Sequence, residues 1–255
     1  MSERNPFDRG ADSRWGIPGK VILVTGAAKR IGRGIALRLA KEGAKGAIHY
    51  GGSEAEARKT AEDCGGAPLF QADLEKVSEI KRLFDEVYAH FGRIDGLVNN
   101  AARFSRFNAL DITEADWDYI HSVNLKATFF CCQQGAKKML PSGGGRIVNI
   151  SSLGGIRPWA EHVHYCASKA GVIHMTRALA KAFAPTITVN SVAPGVIPFG
   201  DDARKDERIA GMIEHTPAKR QGTAAEVADA VVYFLSASNF ITGELIAVDG
   251  GLNLR

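Results

Sequence analysis

The chain has 255 residues, of which 45% are hydrophobic and 24% are charged, and its formal net charge is +4. This length suits one large α/β domain or two small ones, and the composition is ordinary for a globular protein. Lysine and arginine never form a run longer than two residues, which argues against nucleic acid as a partner but still allows a small anionic ligand.

The cysteines and the first residues indicate the compartment. The four cysteines show neither the spacing of metal ligands nor a disulfide framework, so no metal site is expected. Residues 1–16 have mixed charges and no apolar stretch typical of a signal peptide, and we expect a flexible arm there, followed by a single domain at 17–255. No window approaches the ~18 consecutive apolar residues that a membrane span needs. The sequence therefore predicts a cytoplasmic protein with no membrane partner.

Buried strands and amphipathic helices alternate along the whole domain. A pair of helical halves at 113–140 has Asn124 in its middle, and a polar insert occupies about 198–221. The predicted strands are 20–25, 47–50, 69–72, 94–98, 146–150, 186–192 and 244–248, and the other helices are about 31–40, 53–64, 77–91, 164–183 and 223–236. This alternation predicts a doubly wound α/β fold, a parallel sheet of about seven strands with helices on both faces.

A glycine-rich turn follows the first strand directly, from Gly26 through Gly32 to Gly34. Glycines at such a turn let backbone amides approach a pyrophosphate, and the start of the next helix favours its negative charge. A glycine cluster alone is weak evidence for a dinucleotide site, because ordinary strand–helix turns also use glycine. Its position after the first buried strand makes a dinucleotide site the stronger interpretation.

The end of the second strand indicates which dinucleotide binds. Its residues run from His49 and Tyr50 to Ser53, with no carboxylate to accept from the ribose 2′-OH of NAD. Ser53 and nearby amides suit a 2′-phosphate, with Lys29 or Arg30 adding charge, so NADP(H) is favoured over NAD(H). Asp73, after the third strand, either accepts from the adenine amino group or caps the next helix.

Tyr165 and Lys169 stand one turn apart on the helix at 164–183. A phenol with an ordinary pKa near about 10 exchanges protons poorly at neutral pH. A neighbouring ammonium group favours the phenolate and would lower that pKa, giving a usable general acid or base. This spacing is common on amphipathic helices, so it does not by itself identify a catalytic pair.

In combination these motifs resemble the short-chain dehydrogenase/reductase family, over residues 19–252. The glycine turn is joined by Asn99-Asn100-Ala101, by Ser152 thirteen residues before Tyr165, and by the Pro194-Gly195 turn. The resemblance implies a Rossmann-like fold and hydride transfer between nicotinamide and a carbonyl or alcohol substrate.

The family pattern implies a role for each matching residue. Tyr165 would be the general acid or base, Lys169 would lower its pKa and bind the nicotinamide ribose, and Ser152 would hold the substrate oxygen. Asn124 would hold a water in a proton relay, or would bond to the backbone of a kinked helix. The residues expected to bind NADP(H) are Gly26, Lys29, Arg30, Ile31, Gly32, His49, Tyr50, Ser53, Asp73, Leu74, Asn99, Ala101, Tyr165, Lys169, Pro194, Gly195 and Ile197.

Three positions depart from the family pattern. Arg30 stands where most relatives have a second glycine, which places a cation between pyrophosphate and substrate. Ala102 replaces a glycine. Phe199 stands where a threonine commonly bonds the carboxamide, so backbone groups near Ile197 would have to replace it.

The substrate is expected to lie against Phe104, Ser152, Trp159 and Phe199. The general pattern is similar to 3-oxoacyl-[acyl-carrier-protein] reductases, whereas the arginine in the glycine turn and Phe104 are similar to pteridine reductases. Those enzymes carry aspartate at the position of Ser152, which favours a carbonyl substrate here. A non-catalytic NADPH-binding sensor or scaffold is the alternative of another class. The family also implies a homotetramer or homodimer.

Overall fold

A computed structural model describes residues 15–197 and 207–254, apart from the side chain of residue 208. All seven strands pair in parallel in one sheet of order β3-β2-β1-β4-β5-β6-β7. They are β1 (Val21–Val24), β2 (Lys45–Tyr50), β3 (Leu69–Gln71), β4 (Gly96–Asn99), β5 (Gly145–Ile150), β6 (Ile187–Pro194) and β7 (Leu245–Val248). The predicted doubly wound, Rossmann-like fold is confirmed.

Helices cover both faces of this sheet. They are α1 (Arg30–Lys41), α2 (Glu54–Asp63), α3 (Val77–Phe91), α4 (Glu114–His121), α5 (Thr128–Met139), α6 (Val163–Phe183), α7 (Glu207–His215) and α8 (Ala224–Ser236). Side chains along a strand alternate between the faces, so Val21 and Leu23 join one core cluster and Ile22 and Val24 the other. Because the sheet is buried on both sides, β1 reads as a continuous apolar run.

The strand order reverses beside β1, which pairs with β2 on one side and β4 on the other. In doubly wound sheets this reversal opens a crevice outside the carboxyl ends of the strands, where ligands bind. The Thr25 amide, just beyond β1, donates to the Val98 carbonyl at 3.0 Å and keeps the two strand ends together.

Two features of the helices go beyond the sequence prediction. The predicted helical pair at 113–140 is interrupted by a π-helical segment, Ser122–Ala127, which contains Asn124. The polar insert contains α7 within its described part, whereas 198–206 lie outside the described residues. Among the helices of the described residues, none has both the length and the hydropathy to cross a bilayer.

Candidate active site

A cleft of about 590 Å³ opens beyond the carboxyl ends of β1, β2 and β3 and beside the residues that follow β4. It brings together most of the residues expected to bind a dinucleotide. These are Gly26, Lys29, Arg30, Ile31, Gly32, His49, Tyr50, Ser53, Asp73, Leu74 and Ala101.

The glycine turn is packed too closely for side chains at two positions. Gly26 has φ +61°, and a Cβ there would lie 2.9 Å from the Ala101 Cα. A Cβ on Gly32 would lie 2.2 Å from the Gly26 carbonyl oxygen. Neither approach tolerates a larger residue, so the turn holds its backbone against the start of α1.

The start of α1 suits an anion. Lys29 is the N-cap residue and makes no side-chain capping bond, and the first turn contains no acidic residue. The Lys29 ammonium lies 3.6 Å from the Glu56 carboxylate, with both side chains half-exposed. Arg30 has φ +57°, a left-handed conformation that favours glycine, which explains glycine as the residue expected there. The amides of the first turn, with Lys29 and Arg30 beside them, give this end of the cleft features that suit a phosphate.

His49 links the glycine turn to the end of β3. Its Nδ1 accepts from the Gly26 amide at 3.0 Å, so its Nε2 carries the proton and donates to the Ala72 carbonyl at 3.2 Å. Burial lowers the pKa of His49 to about 4, which keeps the ring neutral. Its side chain therefore supports the turn from beneath in addition to lining the cleft.

The adenosine end of the cleft has the residues expected for a 2′-phosphate. Gly51, Gly52 and Ser53 line it, and the Ser53 hydroxyl makes no capping bond to α2. Asp73 also lines it, but its Oδ1 accepts from the Glu75 amide at 3.1 Å and it pairs with Lys76 at 3.3 Å. The Glu75 hydrogen bond, followed by Lys76, lowers the pKa of Asp73. Asp73 thus stabilises the turn that precedes α3 while it faces the cleft, and it does not cap the helix itself.

The two asparagines after Val98 separate in their roles. The Asn99 side chain is buried and donates to the Asn149 Oδ1 at 2.8 Å, away from the cleft. The Asn100 side chain donates to the Gly26 carbonyl at 3.0 Å and lines the cleft. The Asn100 and Ala101 amides donate to the Thr25 hydroxyl at 3.0 and 3.1 Å. Asn100 and Ala101, rather than the Asn99 side chain, form this wall.

Ser152, Tyr165 and Lys169 meet beyond the carboxyl end of β5. The Ser152 hydroxyl accepts from the Gly154 amide at 3.1 Å and is hydrogen-bonded to Tyr165. Lys169, one turn after Tyr165, donates from Nζ to the Ile150 carbonyl at 2.9 Å. Its Nζ lies 5.9 Å from the centroid of the Tyr165 ring. A buried hydroxyl, a half-buried phenol and a buried amine are therefore held in one small region.

Burial controls the pKa values of this group. It raises the pKa of Tyr165 to about 12, against an opposing effect of the Ser152 hydrogen bond. Burial likewise lowers the pKa of Lys169 to about 8, because the ammonium loses water. The expected lowering of the Tyr165 pKa by Lys169 is not found, because burial raises this pKa and the Lys169 Nζ bonds to the Ile150 carbonyl.

Asn124 bonds to the backbone of the loop after β4. Its Oδ1 accepts from the Arg103 amide at 2.7 Å, and its Nδ2 donates to the Arg103 carbonyl at 3.0 Å. Nδ2 also lies 3.2 Å from the Ser168 hydroxyl on α6. Of the two expected roles, the structure displays the bond to the backbone, and it ties the π-helical segment to both the cleft and the catalytic helix.

Aromatic rings surround the phenol of Tyr165. Phe104 meets it edge-on with centroids 4.8 Å apart, and Trp159 is nearly parallel to it at 6.2 Å. His162 stacks on Phe104 at 4.5 Å. Phe104 remains 60% exposed, so its free face is open to a ligand. The predicted substrate residues Phe104, Ser152 and Trp159 thus lie together, whereas Phe199 lies outside the described residues.

Comparison with known proteins agrees with this geometry. The family profile described as "Enoyl-(Acyl carrier protein) reductase" matches residues 26–253. The 3-oxoacyl-[acyl-carrier-protein] reductase FabG of Staphylococcus epidermidis is 38% identical over 240 residues, 91% of this chain and 98% of that protein. The chain belongs to the short-chain dehydrogenase/reductase family. It is an oxidoreductase of this family that uses a nicotinamide cofactor and acts on a small molecule.

Other family members differ in substrate but share the fold. The 2-dehydro-3-deoxy-D-gluconate 5-dehydrogenase of Escherichia coli is 38% identical over 253 residues, 94% of this chain and 97% of that protein. A putative short-chain alcohol dehydrogenase structure from Sinorhizobium meliloti 1021 has a TM-score of 0.88 at 36% identity, covering 93% of this chain and 98% of its own. Acetoin dehydrogenase from Enterobacter cloacae has a TM-score of 0.84 at 32% identity, covering 92% and 96%.

Some residues of this short-chain dehydrogenase/reductase lie apart from the described cleft. Pro194 ends β6, and Gly195 follows where a Cβ would lie 2.7 Å from the Asp249 Cα. Ile197 packs against Gly222, whose Cβ position lies 2.6 Å from the Ile197 Cδ1. This turn lies at the carboxyl end of β6, the strand that pairs with β5.

Sequence reasoning missed the ion pair at the cleft wall. The Arg103 guanidinium pairs with the Glu75 carboxylate and lies 4.1 Å from the centroid of the Tyr119 ring. Arg103 and Glu75 both line the cleft. They are 28 residues apart and match no motif, so nothing in the sequence signals their contact.

Proposed function

We propose that this enzyme is an NADPH-dependent reductase that converts a carbonyl group to an alcohol, with a 3-oxoacyl thioester as the substrate. The observation that carries the proposal is the meeting of Ser152, Tyr165 and Lys169 beside a cleft built for a dinucleotide. A bound nicotinamide supplies the hydride to the carbonyl carbon. The chain's own residues donate the proton, orient the substrate and bind the cofactor.

Tyr165 supplies the proton to the developing alkoxide. Its raised pKa keeps the phenol protonated at neutral pH, which is the form that a general acid needs. Ser152, anchored by the Gly154 amide, orients the carbonyl oxygen toward the phenol. Lys169 binds the nicotinamide ribose and supports the phenolate after proton transfer, with its position set by the Ile150 carbonyl. Phe104 and Trp159 flank the phenol from which the proton leaves.

The cleft favours NADPH over NADH. The end of β2 offers Ser53 and two glycines in place of a carboxylate, and Lys29 and Arg30 add positive charge. A 2′-phosphate gains hydrogen bonds and charge neutralisation there, whereas a bare 2′-OH gains little. The short turn of small residues also leaves room for the phosphate.

Ser152 supports a ketone substrate, and the similarity to FabG supports a 3-oxoacyl thioester in particular. The second candidate is a dihydropterin, because the open face of Phe104 can stack on a flat ring. In the third reading, a sensor or scaffold, NADPH binds without turnover. The meeting of the Ser152 hydroxyl, the Tyr165 phenol and the Lys169 amine argues against it, since ligand binding alone does not require that group.

Turnover of a substrate panel tests the proposal. Loss of NADPH absorbance is measured with 3-oxoacyl thioesters, simple ketones and a dihydropterin. We expect kcat/KM to be greatest for a 3-oxoacyl thioester; a preference for the dihydropterin selects the second candidate, and tight NADPH binding without turnover of any compound selects the sensor.

Tyr165→Phe tests the chemistry separately. We expect turnover to fall by about 10²-fold or more while NADPH affinity is retained, because only the acid is removed. Tyr233→Phe, on the exposed surface of α8, is the matched control and keeps full activity. Equal turnover in Tyr165→Phe would contradict the assigned role.

We also propose a homotetramer in the cytoplasm. Trp117, Phe129 and Val163 leave apolar surface exposed on α4, α5 and α6, and Phe240 is 95% exposed near β7. Burial of these surfaces between copies would remove them from water. The four free thiols suit a reducing compartment. Sedimentation velocity measures the assembly, and a monomer would contradict it.

A further inference from the structure

A second cavity lies at the amino-terminal edge of the sheet, opposite the dinucleotide cleft. It has a volume of about 300 Å³. Lys20 and Asp95 directly precede β1 and β4, and Arg146 is the second residue of β5. Because a strand rises about 3.3 Å per residue, Arg146 lies roughly 20 Å from Ser152. The cavity is therefore separate from the active site.

Positive charge predominates among the residues that line this cavity. Three cations, Lys20, Arg93 and Arg146, face one carboxylate, that of Asp95. Asp95 is already satisfied: it pairs with Arg93, accepts from the Val21 amide at 2.9 Å and lies 3.8 Å from the Lys20 ammonium. The remaining lining includes the polar side chains of Ser142, Thr186 and Asn239, together with Trp15, Pro185 and three glycines. An anion entering here would meet an excess of two positive charges.

Arg146 is the residue whose surroundings are incomplete. Arg146 is only 6% exposed, and its Nε is buried without a hydrogen-bond partner. Nη1 makes one long bond, 3.4 Å, to the Gly145 carbonyl. Within the described residues no carboxylate pairs with it, and its guanidinium lies 5.6 Å from the centroid of the Trp15 ring. A buried guanidinium in this state is costly unless a negative group reaches it.

We propose that this cavity binds a phosphate-type oxyanion, as inorganic phosphate or as the phosphate group of a small molecule. Arg146 offers a planar fork of donors from the floor of the cavity, and Lys20, 30% exposed, offers a point charge at its rim. The volume exceeds that of a bare ion, which leaves room for the remainder of a phosphorylated molecule. The site is independent of the proposed function.

Trp15 provides a direct reporter of this site. Its ring lies 5.2 Å from the Lys20 ammonium and 5.6 Å from the Arg146 guanidinium. The chain has three tryptophans, so replacing Trp117 and Trp159 by phenylalanine leaves Trp15 as the single emitter. Its fluorescence is titrated with inorganic phosphate and with glycerol 3-phosphate. Chloride at matched ionic strength and glycerol are the charge and size controls.

We expect a saturable change in Trp15 emission with phosphate and no saturable change with chloride or glycerol. Tighter binding of glycerol 3-phosphate assigns the site to phosphorylated molecules, and equal binding assigns it to the free ion. Lys20→Met weakens the apparent affinity by about tenfold because one charged donor is lost. Lys45→Met, an exposed lysine at the start of β2, is the matched control and stays within about twofold, since an exposed charge contributes little.

Asp95→Asn gives a test in the opposite direction. Removing the carboxylate releases Arg93 and Lys20 toward the anion, so the affinity increases. Thermal melting of each variant establishes that it is folded before the titration. A response to phosphate no greater than that to chloride overturns the proposal, as does equal affinity in Lys20→Met and Lys45→Met.

Discussion

Burial sets the charge of individual side chains in this enzyme, and that charge decides which hydrogen bonds they make. His49 illustrates this, because its neutral ring is what permits Nδ1 to accept from the Gly26 amide. A protonated ring would place a second donor against that amide. Burial away from water keeps the proton off, and the pKa of about 4 is the consequence. The shape of the glycine turn therefore depends on the charge state of a residue on the neighbouring strand.

Replacing His49 by glutamine should change the response of stability to acid. The unfolded chain binds a proton with a pKa near 6.5 and the folded chain only near 4, so the stability that His49 supports is complete above pH 6.5 and is lost as pH falls toward 4. We expect the free energy of unfolding in urea to fall less over this range in His49→Gln than in the unmodified enzyme. His174→Gln, exposed on α6, is the control and should retain the original pH dependence. Identical profiles for His49→Gln and the unmodified enzyme would contradict this role.

The raised pKa of Tyr165 predicts different pH profiles for the two directions of reaction. Reduction uses the protonated phenol, which persists up to a pH of about 12, so its rate should not decline through loss of that proton near neutral pH. Oxidation uses the phenolate, so its rate should rise by about tenfold per pH unit below that value while proton removal is limiting. Initial rates in both directions measure this. A reduction rate that falls with the titration of Tyr165 near pH 7 would show that the bound cofactor lowers this pKa.

At the scale of elements, the join between β1 and α1 depends on close approach of backbone groups. A Cβ added to Gly32 would lie 2.2 Å from the Gly26 carbonyl oxygen and 2.5 Å from the Asn100 Nδ2. The first turn of α1 is held in this way against the loops after both β1 and β4. The start of α1, where we propose that a phosphate of the cofactor binds, therefore depends on three elements, and we expect a change in any one to displace its amides.

Gly32→Ala should reduce both stability and cofactor affinity. Relief of the clash requires the turn to move away from α1, and we expect a loss of about 1–3 kcal/mol in the free energy of unfolding. NADPH affinity should fall as well, because the amides lose their common direction. Gly211→Ala, within α7 and with nothing near its Cβ position, is the matched control and should be neutral or slightly stabilising. Calorimetry and NADPH titration measure both effects; an unchanged affinity would mean that the turn adapts.

The π-helical segment Ser122–Ala127 is the other element on which the site depends. Asn124 faces the loop after β4, where both of its amide atoms bond to Arg103. Arg103 in turn pairs with Glu75 across the cleft wall. One side chain on a widened helix turn thereby links the dinucleotide cleft to α6. Single π-helical turns within α-helices are rare and frequently occur at functional sites, and the position of this segment beside the cleft agrees with that.

For the whole molecule, cofactor binding should stabilise the fold, because only the folded chain forms the cleft. A ligand present at about 100 times its dissociation constant adds about 2.7 kcal/mol. At equal concentrations we expect NADPH to raise the melting temperature more than NADH does. Ser53→Ala should reduce the difference between the melting-temperature shifts caused by NADPH and by NADH. Ser78→Ala is the control, because Ser78 is exposed on α3 away from the cleft, and it should leave that difference unchanged. A larger shift with NADH would contradict the assignment of the cofactor.

Local signals in the sequence were sufficient for the architecture. Apolar runs with β-branched residues mark buried parallel strands, and the glycine turn and the Tyr165–Lys169 spacing depend only on neighbouring residues. The number of strands, their parallel pairing and the position of the cleft at their carboxyl ends follow from these signals. Strand limits shifted by a residue or two, since they depend on pairing with partners elsewhere in the chain.

Tertiary structure alone decided which neighbouring side chain does what. Asn99 and Asn100 are indistinguishable in sequence, yet the alternation of the strand sends one into the sheet network and the other to the cleft. The pairing of Arg103 with Glu75 and the link from His49 to Gly26 join segments that are distant in sequence. The pKa of Tyr165 reversed its expected direction, because desolvation depends on every residue packed around the phenol. Spacing identifies the reacting groups, and the packed environment determines their charge.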